Sequence, residues 1–154
     1  MNAEDIDFKI KHLGKDDVML LQKLIHVFRK VFEMEDMDTA SESYLKSQLQ
    51  NAGFIAFVVL RDSEVLGGLT AFLLPMYYAE YPELFIYDIA IETKFQRKGL
   101  GKKLLSYLRQ YCRENGIREM FVQAHQEDEH AIEFYHSTGG KAEKVLQFIY
   151  NTGG

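Results

Sequence analysis

The run LFIYDIAI (84–91), leading through ETKFQRKGLG (92–101) into a helical pattern, constrains the fold more than any other part of the chain. Asp88 is its only charged residue. An apolar run of this length reads as a strand covered on both faces and therefore central in a sheet. From Lys102 the apolar spacing becomes helical, with Leu104, Leu105, Leu108, Tyr111 and Cys112 on one face and Asn115–Gly116 as the stop. A strand, a glycine turn and an amphipathic helix in succession require layers of sheet and helix.

The flanking segments fit such layers. IDFKIKHL (6–13) alternates Ile6, Phe8 and Ile10 with polar residues, as a half-buried strand does. Gly14 turns the chain, and Asp16 or Asp17 caps a helix facing inward through Val18, Leu21, Leu24, Ile25, Phe28 and Phe32. Thr39 and Glu42 have capping-box spacing, opening a second helix with Tyr44, Leu45 and Leu49 inward. Residues 53–75 read as two strands joined at Asp62–Ser63, and EMFVQAH (119–125) as another. A short helix carrying Ala131, Ile132, Phe134 and Tyr135 ends at Gly139–Gly140, and KVLQFIYN (144–151) reads as a last strand. The order β–α–α–β–β–β–α–β–α–β predicts an α+β sheet with helices on both faces.

With 154 residues, 47% of them apolar, the chain is expected to form one domain over 1–154 with a core that needs no staples. The single cysteine, Cys112, allows no intrachain disulfide, which suits a reducing compartment. The N-terminal residues lack an apolar signal core, and no apolar run approaches the ~18 residues of a membrane span. A soluble cytoplasmic protein is expected.

The glycine turn carries the first chemical signal. A strand that turns sharply into a helix leaves backbone N–H groups without partners, and these, with the helix dipole, favour an anion. Gly99 and Gly101 permit close approach or positive φ, and Arg97, Lys98 and Lys102 add charge. Lys94, Arg97, Lys98, Lys102, Lys103, Arg109, Arg113 and Arg118 face one acid, Glu114, within a chain of formal charge −5. The compensating acids gather in EMEDMDTASE (33–42) and EDEHAIE (127–133), so one anionic and one cationic ligand are expected. Nucleic acid is disfavoured, since the basic stretch is short and only Phe95 is placed to stack. The turn is neither a P-loop, lacking Gly-Lys-Ser/Thr, nor the dinucleotide motif, whose third glycine is Leu104 here. By itself it supports a phosphate cradle or a plain turn before a basic helix.

Asp88 carries the second signal. A lone carboxylate in an apolar strand is either buried or aimed into a cleft, and unpaired burial is costly. It is a candidate base, unless an arginine or a turn amide satisfies it. Cys112, on an apolar helix face, reads as structural and not nucleophilic. His125-x₄-His130 lacks a third ligand of suitable spacing for a metal.

QRKGLG (96–101) resembles the Q/R-x-x-G-x-G/A acyl-CoA motif of the GNAT N-acetyltransferase superfamily, and AIEFYHSTGG (131–140) resembles its Ala-x-x-x-Tyr segment. FIAFVVLRDSEVLGGLTAFLLP, IYDIAI and FVQA further resemble the aminoglycoside 3-N-acetyltransferases of type I, the gentamicin-acetylating enzymes. The likeness runs from about Leu13 to Phe148. It implies a GNAT fold, a mixed and mostly antiparallel sheet of six to seven strands flanked by about four helices. It implies acetyl-CoA as co-substrate, no metal, and transfer to the 3-amino group of an aminoglycoside in a ternary complex.

Carried over residue by residue, Gln96, Arg97, Lys98, Gly99, Leu100, Gly101 and Lys102 hold the coenzyme A pyrophosphate. Backbone groups of Ile89, Ala90 and Ile91 bind the pantetheine arm as a strand would, and the basic helix flank serves the 3′-phosphate. Asp88 is the base for the substrate ammonium, and Tyr135 protonates the departing thiolate. Glu127, Asp128 and Glu129 face a cationic acceptor, with the 33–42 loop as opposite wall. The sequence departs from these relatives at HQEDEH (125–130), where His125 replaces an acid and His130 a proline. Such enzymes often pair as homodimers. Rival readings are a GNAT acting on a polyamine, amino sugar or protein amine, and a CoA-binding module without catalysis.

Overall fold

The computed structural model describes residues 7–154, which fall into two compact units, one ending at Gln123 and one beginning at Ala124. In the first unit, β1 (Lys9–His12), α1 (Val18–Val31), α2 (Glu42–Gln50), β2 (Phe54–Arg61), β3 (Glu64–Leu74) and β4 (Glu83–Ile91) follow in order. A 3₁₀ turn (Thr93–Phe95), α3 (Leu100–Glu114) and β5 (Glu119–Val122) complete its described elements. The sheet order is β1-β2-β3-β4-β5, antiparallel except for the parallel β4–β5 pair. This is the expected α+β architecture, with five strands where six to seven were expected. Ile6, assigned to the first strand by its alternation, lies outside the described residues.

β2 is buried along six consecutive positions because helices cover both sheet faces. Ala56, Val58 and Leu60 pack with Leu21, Leu24, Val27 and Phe28 of α1 and Leu45 of α2. Phe57 faces the opposite way, its ring meeting Tyr107 and Tyr111 of α3 edge-on at 5.4 Å each. The hairpin turns at Asp62, whose φ of 55° matches the twist a tight turn needs. Gly67 and Gly68 on β3 admit close neighbours. A Cβ on Gly68 would lie 2.2 Å from the Phe57 carbonyl oxygen and 2.8 Å from Leu24 Cδ1, so α1 packs directly onto the strand backbone.

Several expected details differ. α2 is capped by Ser41, whose hydroxyl accepts from the Tyr44 amide at 3.2 Å, and not by Thr39. Thr39 instead accepts from Arg29 Nη1 at 2.8 Å. With this start, Tyr44 lies outward and 57% exposed, while Leu45 is buried. Asp17 is the N-cap residue of α1 but makes no cap bond; its carboxylate accepts from the Gly14 amide and Lys11 Nζ. Phe32 caps the end of α1, 39% exposed and stacked on Phe28.

The second unit contains α4 (Glu129–Ser137), which closes in a Schellman turn. The Gly139 amide donates to the His136 carbonyl at 3.1 Å, the Gly140 amide donates to that of Tyr135 at 2.9 Å, and Gly139 has a φ of 92°. A Cβ on Gly140 would sit 2.9 Å from the Tyr135 carbonyl oxygen, so glycine is required there. The expected strand at 144–151 does not form among the described residues. Its residues pair with no ladder among the described residues and lie exposed. No described helix is long and apolar enough to cross a membrane.

Candidate active site

The centre of the first unit's site is a mismatch between β3 and β4. Thr70 pairs with Asp88 but Ala71 pairs with Ile86, so Tyr87 is an extra residue, a β-bulge. On its other side β4 pairs with β5 only from Glu83 to Ile86. β5 ends at Val122, opposite Ile86, and the outer backbone edge of residues 87–91 has no strand beside it among the described residues. An extended ligand with amide groups could add there as a strand would.

The bulge decides where Asp88 lies. Ala90 belongs to the α1/α2 core, and residues two apart share a face, so Asp88 faces the same side. Its cross-strand partner is Thr70, the one buried polar side chain among the described residues. The Asp88 carboxylate makes no hydrogen bond or ion pair among the described residues, and burial alone pushes its pKa above the ordinary 3.8. Neither an arginine nor a turn amide satisfies it. A half-buried carboxylate whose pKa is raised by burial is a stronger base than an exposed one.

Ile91 leads into the glycine turn. Gln96 Nε2 donates to the Ile91 carbonyl at 2.8 Å, which fixes the loop to the strand end. The side chain is thus engaged within the protein, a role that the motif does not announce. Arg97 (φ 60°) and Gly99 (φ 87°) both adopt left-handed backbone, an alternation that turns amides toward a common point. Gly99 provides no side-chain cap for α3, which begins at Leu100, two residues earlier than its periodicity suggests. The amides of Leu100, Gly101 and Lys102 thus open a fifteen-residue helix with its dipole behind them. Phe95 is buried, with Arg61, Lys94 and Lys98 over its ring at 4.7, 5.1 and 5.8 Å, so it offers no base-stacking surface. The loop fits a pyrophosphate group.

Two features of this unit were not foreseen. Arg29 binds the carbonyls of Met34, Glu35 and Met37 and the Thr39 hydroxyl, folding the acidic α1–α2 loop so that its carboxylates stay outward. The bulged Tyr87, 60% exposed, lies edge-on to Phe72 and Phe85 at 5.9 and 5.8 Å, and Phe85 stacks on Phe121 at 4.9 Å. An aromatic row therefore runs beside Asp88. Cys112 is buried on α3 and burial raises its thiol pKa, as befits a structural cysteine.

The second unit holds the other expected residues. Tyr135 lies in the last turn of α4, held by the Schellman turn and edge-on to Phe134 at 5.4 Å. Glu127, Asp128 and Glu129 are exposed at the start of that helix. Asp128 also caps it, accepting from the Ala131 amide at 3.1 Å.

The pattern of the Acetyltransferase (GNAT) family matches residues 19–139. An aminoglycoside acetyltransferase, meta-AAC0020, from an uncultured soil metagenomic sample has been solved with sisomicin and with trehalose. It is 37–38% identical over 95% of this chain and 97% of its own, with a TM-score of 0.92. A second soil metagenomic aminoglycoside acetyltransferase, HMB0005, is 29% identical over 96% and 100% of the two chains, at a TM-score of 0.89. AAC(6')-Iy, solved with a CoA-conjugated bisubstrate analogue, shares the fold at a TM-score of 0.78 with 18% identity, over 94% and 98%. The chain belongs to the GNAT family and is an acetyl-CoA-dependent N-acetyltransferase.

Proposed function

We propose that this enzyme acetylates an aminoglycoside, at its 3-amino group, by direct transfer within a ternary complex. The observation that carries the reading is the unpaired Asp88 carboxylate at the β4 bulge, where the strand edge opens. In this mechanism Asp88 takes the proton of the bound ammonium, directly or through one water, and so frees the nitrogen lone pair. A C–N bond forms to the thioester carbonyl carbon, the C–S bond breaks, and the Tyr135 phenol gives its proton to the departing thiolate. The amides of Arg97 to Lys102 hold the pyrophosphate, and the backbone of Ile89 to Ile91 aligns the pantetheine arm. Gln96 positions that strand end.

The acceptor side rests on charge and aromatic surface. The α1–α2 loop and the residues Glu127, Asp128 and Glu129 give a polycation a favourable field. Tyr87 offers a ring face to a sugar beside the base. The solved relative with bound sisomicin supports an aminoglycoside over a peptide amine. The test is thiol release from acetyl-CoA with sisomicin, gentamicin, kanamycin, spermidine and a lysine-rich peptide. Release with aminoglycosides at a kcat/KM at least tenfold above spermidine and peptide supports the reading; release with spermidine or peptide alone refutes it.

A further inference from the structure

We propose that the Thr70 hydroxyl is a second contact for the acceptor amine, accepting one N–H of the nitrogen whose proton goes to Asp88. The inference rests on the reading of Asp88 as the base and adds the group that sets the direction of attack. Thr70 lies on β3 directly across the ladder from Asp88. On its other side it pairs with Ala56 of β2, whose side chain belongs to the α1/α2 core. Directly paired residues share a face, with Cβ atoms about 4.5–5.5 Å apart. Ala56, Thr70 and Asp88 therefore form one row across the sheet, and Asp88 is the polar neighbour of Thr70 in it.

Both polar groups of the row are unengaged. Neither the Thr70 hydroxyl nor the Asp88 carboxylate has a hydrogen-bond partner among the described residues, although buried hydroxyls normally find one. No described side-chain oxygen or nitrogen is both sealed from solvent and unpartnered, so the Thr70 oxygen still reaches solvent from a residue only 9% exposed. The β4 bulge begins at this pair, with the register shifting between Thr70 and Ala71. The two groups do not bond each other, and a nitrogen at about 2.9 Å from each bridges the gap between them. An ammonium carries its N–H groups in tetrahedral array. With one proton passed to Asp88 and another N–H held by the Thr70 oxygen, the freed lone pair has a fixed direction toward the thioester carbonyl carbon. The hydroxyl keeps its own proton throughout. The branched Cβ of threonine restricts χ1, which holds the oxygen ready.

The test compares thiol-release kinetics of wild type, Thr70→Val, Thr70→Ser, Asp88→Asn and the combined Thr70→Val/Asp88→Asn enzyme. The acceptor is whichever amine of the panel above wild type turns over fastest. Thr70→Val keeps the shape and removes the oxygen, so kcat/KM for the acceptor should fall roughly 10–100-fold, as for a hydrogen bond to a charged group. The Kd for acetyl-CoA should be unchanged and the Tm no lower than wild type, since valine buries no unpartnered oxygen. Thr70→Ser should retain kcat/KM within about fivefold, its looser χ1 being the only loss. In the Asp88→Asn background Thr70→Val should cost less than about threefold, because both groups act on one nitrogen. A Thr70→Val enzyme within about twofold of wild type overturns the contact, as does full additivity in the combined enzyme. A loss that Thr70→Ser shares in full, or that comes with a lowered Tm, assigns Thr70 to packing and overturns it equally. An Asp88→Asn enzyme as active as wild type fails the base reading and the contact together, whereas an inactive one beside an active Thr70→Val enzyme fails the contact alone.

Discussion

Gly67→Ala links packing to the coenzyme site. A Cβ on Gly67 would lie 2.4 Å from the Ala90 carbonyl oxygen, 2.7 Å from Ile91 Cδ1 and 2.8 Å from Ile91 Cα. Ordinary carbon–oxygen contacts between strands are about 3.3–3.6 Å, so the methyl group falls roughly 0.9 Å short of room. Two of the atoms it meets are backbone, which cannot rotate away as a side chain can. β3 and β4 must separate where Gly67 pairs with Ile91, stretching ladder hydrogen bonds at that point. Overpacking costs about 1–3 kcal/mol, and each weakened bond about 1 kcal/mol more. The lower entropy of the unfolded alanine chain offsets about 0.4–1 kcal/mol. A net loss of about 2–3 kcal/mol corresponds to a fall in Tm of about 4–12 °C for a chain of this size. Because the displaced backbone is that of Ala90 and Ile91, the KM for acetyl-CoA should rise more than that for the acceptor. Thermal unfolding and steady-state kinetics with both substrates measure the two effects. A Tm within 2 °C of wild type and an unchanged KM for acetyl-CoA would refute the reasoning.

Asp88→Asn should lower kcat by about 10²–10⁴-fold, the usual range for a general base, with the Kd for acetyl-CoA unchanged. Burial raises the folded-state pKa of Asp88, so folding disfavours its charged form relative to the unfolded chain. Its stabilising contribution is present below the unfolded value of 3.8 and lost as pH rises through the folded value, so Asp88→Asn should melt above wild type at neutral pH and match it below pH 3.8. A variant that melts lower at neutral pH would show Asp88 to be satisfied after all. Tyr135→Phe should reduce kcat by about 10²-fold while leaving the helix and the KM for acetyl-CoA intact, and circular dichroism with kinetics separates the two. Gln96→Leu removes the bond to the Ile91 carbonyl, so the KM for acetyl-CoA should rise about fivefold, as expected for about 1 kcal/mol, with little change for the acceptor.

The β4–α3 region was the most legible from residues because its signals are local. Apolar continuity, two glycines and a change of period all lie between 84 and 112. What depends on pairing was not legible. The bulge at Tyr87 arises from the register of β3 against β4, and nothing in LFIYDIAI marks which residue is extra. Thr39 has the spacing of a cap, but Arg29, ten residues back, engages its hydroxyl and leaves the cap to Ser41. Glu127, Asp128 and Glu129 are readable as an acidic group, yet Asp128 also serves as a helix cap. At 144–151 the strand pattern is plain, yet no ladder forms there among the described residues.

The central claim is that the acetyl group reaches an aminoglycoside amine beside Asp88. Its most direct test is reaction of carbonyl-¹³C acetyl-CoA with sisomicin, the product being analysed by NMR. One labelled acetamide on the 3-amino nitrogen, formed by wild type and at least a hundredfold more slowly by Asp88→Asn, is the predicted result. No labelled sisomicin, or equal labelling by the variant, would contradict the account.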